Sequence, residues 1–235
     1  MAVVQLADGV WRVPLAPYDL LNAFLLQGDD GSLTLVDAGT KGSPTRVRAA
    51  LAALGRAPGD VTHLLLSHAH SDHAGGAARL QQDTGSRVLA HEREAVYLRE
   101  GRMPVPDPAT RGGRLLARLP GGGGFAPLGV DETFEDGATL PLAGGLLVVH
   151  TPGHKPGHCS FLHTGAGVLL TGDALFNVRG LRWSIRTPCT DIAMSRTSAA
   201  RLGELDYDVA GFTHGGHVTT GARTAVRAFL AGRES

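Results

Sequence analysis

The chain has 235 residues, 22 Lys plus Arg against 22 Asp plus Glu, two cysteines and eleven histidines. Balanced charge leaves no overall field to draw it to nucleic acid or to an anionic membrane, and Cys159 and Cys189 are too few for a secreted disulfide scaffold, so both are read as reduced thiols. No apolar run approaches the roughly 20 residues that span a bilayer, and no basic segment followed by an apolar stretch opens the chain, so the cytoplasm is the expected address.

Short strands alternate with helices. Val10–Val13, Ala23–Leu26 and Leu33–Asp37 read as strands, and Ser43 is placed to cap a helix running to about Leu54, which Gly55 ends. His63–Ser67 carries three consecutive leucines, the pattern of a strand covered on both faces. A helix from about Gly75 to Asp83, a strand at Arg87–Ala90 and a helix at Glu92–Glu100 follow. Strands resume at Leu146–His150, Ser160–His163 and Val168–Thr171. Then come a helix at about Arg196–Leu205, a strand at Val209–Phe212 and a closing helix at Ala222–Ala231. No composition break divides the chain, so one domain spanning 1–235 is expected. Two stretches interrupt the alternation, about 101–129, with its Gly121–Gly124 run, and about 176–190; loops of this length are read as a substrate lid or as surface insertions. Leu33–Gly39 and Val168–Leu175 echo each other as apolar strands ending in aspartate and alanine.

Five apolar strands each lead into a turn that holds Asp or His. Leu33–Val36 leads to Asp37, Leu64–Leu66 to His68, His70, Asp72 and His73, Leu146–Val149 towards His154, Val168–Leu170 to Asp173, and Val209–Phe212 to His214. Ligand sites of open α/β sheets form where strands terminate, so these side chains are expected to converge. In extended backbone, residues two apart project to one side, which lets His68 and His70 share a metal, while Asp72 and His73 fall where the chain turns and point elsewhere. Imidazole with carboxylate suits zinc, iron or manganese.

Ser67–Gly76 matches His-x-His-x-Asp-His in full, and this chain resembles the metallo-β-lactamase-fold superfamily, within it the glyoxalase II-like hydrolases. Thr151–His158, Thr171–Phe176, Thr213–Gly216 and Leu35–Gly39 resemble the remaining blocks in family order, although the family usually has Pro-Gly before the histidine matched by His214. The resemblance implies a four-layer αβ/βα sandwich. It also implies two divalent metal ions, zinc first, with iron or manganese as alternatives. One would be held by His68, His70 and His154 and the other by Asp72, His73 and His214, with Asp173 bridging and Asp37 orienting the ligands from behind. His217 competes with His214 for the last position. His63, His91, His150 and His163 read as core or surface residues, His158 as structural, and Cys159 as buried filler.

The implied activity is hydrolysis of a small-molecule thioester, ester or lactone by a metal-bridging hydroxide, with Asp72 as the catalytic group that orients it and carries a proton to the leaving group. A mononuclear-iron persulfide dioxygenase, a β-lactamase or phosphodiesterase, and a non-catalytic binding module are the alternatives. Lys155, with Arg179, Arg182 or Arg186, is read either as a grip on an anionic substrate tail or as a solvated positive rim. No nucleic-acid or membrane partner is expected, and the oligomeric state is not legible.

Overall fold

The computed structural model describes residues 2–108, 111–116 and 124–232. Part of the glycine run noted above therefore lies outside the described residues. The N-terminal half builds one sheet from β1 (Val4–Ala7), β2 (Val10–Pro14), β3 (Asn22–Gln27), β4 (Leu33–Val36), β5 (Val61–Leu66), β6 (Arg87–His91) and β7 (Glu132–Phe134), side by side in that order. β1 to β4 pair antiparallel, and β4 to β7 pair parallel. The crossovers between the parallel strands carry α1 (Pro44–Ala53), α2 (Ala77–Thr84) and α3 (Glu92–Glu100); α4 (Arg111–Leu116) lies in the stretch read as a loop.

A second sheet uses β8 (Thr139–Leu140), β9 (Leu146–His150), β10 (Cys159–His163) and β11 (Val168–Leu170). After a separate hairpin, β12 (Leu175–Asn177) with β13 (Leu181–Trp183), the chain adds β14 (Val209–Gly211) to this sheet, whose order is β14-β11-β10-β9-β8. Helices α5 (Ile192–Ala199) and α6 (Ala222–Ala231) follow those strands.

Strand periodicity shows how the layers stack. Successive side chains point to opposite faces, and Phe24, Leu26, Val36 and Leu65 join Val148, Phe161, Val168 and Leu170 in one buried cluster. That cluster lies between the sheets. Their neighbours Leu25, Leu35, Leu64 and Leu66 pack instead with Val47, Leu51 and Leu80 of α1 and α2. On the far side, Leu162, Leu169 and Ala210 pack with Ala199 of α5 and Val226 of α6. The result is helix, sheet, sheet, helix: the αβ/βα sandwich expected from the sequence. No helix among the described residues is long and apolar enough to cross a membrane.

One helix boundary shifts for an identifiable reason. The helix expected at about Arg196 begins at Ile192, because the Asp191 carboxylate accepts the Met194 amide as an N-cap, and its last part, Ala200–Glu204, tightens to 3-10 geometry. Helix α2 starts at Ala77 rather than Gly75. Ser43 stands at the N-cap position of α1 but makes no cap bond; its hydroxyl accepts the Thr40 amide.

Candidate metal centre

The five turns read from the sequence meet at one end of the sandwich, two from the first sheet and three from the second. After β5, the chain places His68, His70 and His73 in the interior, with Asp72 partly open to solvent. His154 follows β9, Asp173 follows β11 and His214 follows β14. The last two strands are parallel neighbours, which sets Asp173 and His214 side by side. The loops carrying His154 and His214 depend on close backbone approach. Gly153 at φ 118° lies against the backbone of Ser195, and Gly215 at φ 110° lies against that of Asn177. A Cβ at either would sit 2.1 Å from the facing atom, and both conformations suit only glycine.

The donor atoms fall into two groups, each gathered within 4.8 Å: His68, His70, His154 and Asp173, and Asp72, His73 and His214. In the first, His68 Nε2 and His154 Nε2 stand 3.0 and 3.1 Å from His70 Nδ1. Three nitrogens bound at 2.0–2.1 Å to one tetrahedral ion would be roughly 3.3 Å apart, so the corner has the right size. In the second, His214 Nε2 lies 3.5 Å from Asp72 Oδ2. Asp173 joins the two, with Oδ2 3.3 Å from His154 Nε2 and Oδ1 3.1 and 3.3 Å from His73 Nε2 and His214 Nε2. His217 belongs to neither group.

The far sides of four of these rings, those of His68, His73, His154 and His214, meet a specific acceptor. His73 Nδ1 donates to Asp37 Oδ2 at 2.8 Å, His214 Nδ1 to the Leu20 carbonyl at 2.7 Å, and His154 Nδ1 to Ser184 Oγ at 2.7 Å. Ser67 donates its hydroxyl proton to Asp37 and accepts from His68 Nδ1 at 3.0 Å. With Nδ1 protonated, the Nε2 lone pairs of His68 and His154 face inward, as ligands require. Asp37 holds its position at φ 61°, a left-handed backbone uncommon for a side-chain-bearing residue, and also accepts the Ser67 amide.

Electrostatics separates the two groups. Burial, then the neighbouring rings His73, His70 and His154, pushes His68 well below the usual imidazole range. His70 and His154 are lowered too, both by burial first. The three-histidine corner is therefore a set of neutral donors. Burial opposes charge on His73, but Asp173 and Asp37 on either side hold it well above the usual value; Asp173 raises His214 likewise. Asp173 itself is buried, yet His214, His73 and His154 keep its carboxyl well below the usual range. His73 Nε2 and Asp173 Oδ1 are buried without a hydrogen-bond partner although they face each other. Buried polar atoms left in this way are rare, and a cation shared by these donors would satisfy both.

Three residues near the centre were not singled out from the sequence as its supports. Glu94 on α3 is buried; its Oε2 accepts the Ala69 amide at 2.8 Å and its Oε1 the Gly157 amide at 2.7 Å, fastening together the loops of His68–His73 and His154. Burial pushes its carboxyl up to about 7. Ser67 and Ser184 orient rings, as described. His158 is structural, as expected: its Nε2 accepts the Asp173 amide at 2.8 Å. Cys159 is buried, and burial pushes its thiol well up; both cysteines are free.

Lys155 corrects the sequence reading. It is neither a rim residue nor an open cationic grip: its side chain is fully buried, and Nζ donates to the carbonyls of Pro104 at 3.0 Å and Pro188 at 2.7 Å. Those carbonyls belong to the two stretches that break the alternation, which also meet where the Asp107 amide donates to Cys189 O. Together they wall a cavity of ≈1180 Å³ whose floor includes His70, Asp72, Asp173 and His214.

A family model described as the metallo-beta-lactamase superfamily matches residues 19–214. The chain belongs to that superfamily of metallo-hydrolases. It is 31% identical over 194 residues to a probable metallo-hydrolase, YybB, of Bacillus subtilis, covering 82% of this chain and 79% of that one. It is 33% identical over 173 residues to the hydroxyacylglutathione hydrolase GloC of Haemophilus influenzae, covering 71% and 74%. Among solved structures, a metallo-beta-lactamase family protein of Thermus thermophilus superposes with a TM-score of 0.75 at 29% identity, covering 98% of this chain and 81% of that one.

Proposed function

We propose that this protein is a metal-dependent hydrolase of a thioester, ester or lactone, that it takes two divalent ions, zinc first, and that the seven residues His68, His70, Asp72, His73, His154, Asp173 and His214 are their ligands. The observation that carries this reading is the pair of interlocked donor groups joined through Asp173 at the floor of a cavity. Held by these residues, divalent ions would supply Lewis acidity for a carbonyl oxygen and a water made acidic near neutral pH. The chain supplies the rest. Neutral His68, His70 and His154 leave their corner able to accept positive charge. Asp173, ionised between the groups, compensates charge on both sides. Asp72, at the open edge and 38% exposed, is the one carboxylate of the set with access to solvent and cavity together. In this reading it orients the attacking water and carries its proton to the departing sulfur or oxygen as the acyl bond breaks.

Elemental analysis of the purified protein, with hydrolysis of thioester, lactone, β-lactam and phosphodiester substrates measured with and without chelator, tests this reading. Two metals per chain and chelator-sensitive acyl hydrolysis are expected. One iron with oxygen consumption would replace it by a dioxygenase, and absence of bound metal would replace it by a binding module.

A further inference from the structure

From the walls of the cavity we infer that the acyl group this enzyme takes is an apolar alkyl chain, an inference that rests on the acyl-hydrolase reading above. The lining combines Met103, Pro104 and Val105 from one interrupting stretch with Phe176, Trp183 and Ile185 from the other. Below them lie the donor groups, so a carbonyl at the floor would send its substituent up among these apolar side chains.

The mouth is apolar as well. Val105 is 59% exposed, Ile185 60% and Leu20 49%, three of the few large hydrophobic side chains left in solvent among the described residues, and all three line this cavity. Isolated exposed hydrophobic residues need no explanation, but a group around an opening marks a binding surface.

Two cations of the lining, Lys155 and Arg102, are committed elsewhere. Lys155 donates to Pro104 O and Pro188 O. Arg102 pairs with Glu100 and lies over the Tyr97 ring. Arg182 is exposed at the mouth and donates through Nε to Val178 O. A charged group placed between those apolar side chains would lose water there without a partner beside it, which is costly. An alkyl chain gains instead: each methylene removed from water is worth about a two- to fourfold preference.

The experiment is a series of thioesters sharing one small thiol, from acetyl to decanoyl, alongside a hydroxyacyl thioester of glutathione, each assayed on the metal-loaded enzyme. Calorimetry of octanoate, butanoate and glutathione binding accompanies it. The octanoyl compound is expected to exceed the butanoyl compound in kcat/KM at least about tenfold, which four methylenes readily supply, and octanoate to bind more tightly than butanoate or glutathione. Ile185→Asp should lower the octanoyl-to-butanoyl ratio several-fold. A flat chain-length profile, or preference for the glutathione thioester, overturns the inference while leaving the acyl-hydrolase reading intact. If no acyl compound is hydrolysed, that reading fails instead, and equal affinity for octanoate and butanoate then overturns the apolar site independently.

Discussion

The Glu94 carboxylate accepts the Ala69 amide, between His68 and His70 in the chain, at 2.8 Å, from a helix 25 residues further on. Its other oxygen holds Gly157, three residues beyond His154. One side chain thus sets the spacing of all three histidines of the neutral corner. Glu94→Gln keeps the shape but turns an amide donor towards one of two backbone donors. The expected loss is about 1–3 kcal/mol of stability, with weaker metal binding, read by urea unfolding and zinc titration. A glutamine variant matching the parent in both would show that the carboxylate is only filler.

Asp37 performs the corresponding task for the second group, accepting from His73 Nδ1, Ser67 Oγ and the Ser67 amide. Asparagine tolerates the left-handed backbone found here, so Asp37→Asn isolates the charge and its acceptors from the fold. Partners behind metal ligands typically contribute about 10–100-fold in affinity. A loss in that range is expected in competition with a chromophoric chelator; unchanged affinity would remove Asp37 from the metal's support.

For Asp72, the expectation concerns turnover. Asp72→Asn at full metal occupancy, verified by elemental analysis, should lower kcat by about 10²–10⁴-fold, the usual contribution of a positioned proton-transfer group. Unaltered turnover with both metals present would assign Asp72 to coordination alone.

Much of this arrangement was legible because strand ends carry their own signal. Leu64–Leu66 reads as a covered strand, and the residues after it were expected to emerge at its end. What escaped was of two kinds. The edge strands β1, β7 and β8 are short, with exposed positions, and β12 with β13 lies inside a stretch rich in arginine, so apolar alternation is weak there. Glu94 and Lys155 escaped for another reason. Each looks locally like a solvated charge, one on a helix and one in a turn, and becomes buried only when partners 25 to 63 positions away close over it. The Asp191 cap of α5 was missed, with the helix expected only from about Arg196, although Asp three residues before the Met194 amide is an N-terminal signal.

Lys155 leads to a kinetic prediction. Lys155→Met retains length and apolar stem but leaves the Pro104 and Pro188 carbonyls without their donor. Each carbonyl left buried and unpaired costs about 1–3 kcal/mol, and the two walls lose their common tie. If the walls hold substrate as proposed, away from the reacting atoms, KM is expected to rise several-fold more than kcat falls. The reverse pattern, a reduced kcat at constant KM, would place Lys155 in the chemical step and refute its role as a tie.

His91 makes the fold sensitive to acid. It is buried, stacked on His150 at 4.3 Å, and its Nδ1 accepts the Arg93 amide at the start of α3. Burial, followed by His150 and Arg93, lowers it to about 4, against a small opposing pull from Asp136. The unfolded chain binds a proton at this ring below about pH 6.5, whereas the folded chain does not until about pH 4. Stability attributable to His91 is therefore complete above 6.5 and is lost as pH falls from there towards 4. Asparagine preserves a cap acceptor for Arg93 and cannot titrate. With chelator present to remove metal effects, the drop in urea midpoint between pH 7.5 and 5.0 should be smaller for His91→Asn than for the parent. If the two drops are equal, the proton uptake belongs to other groups.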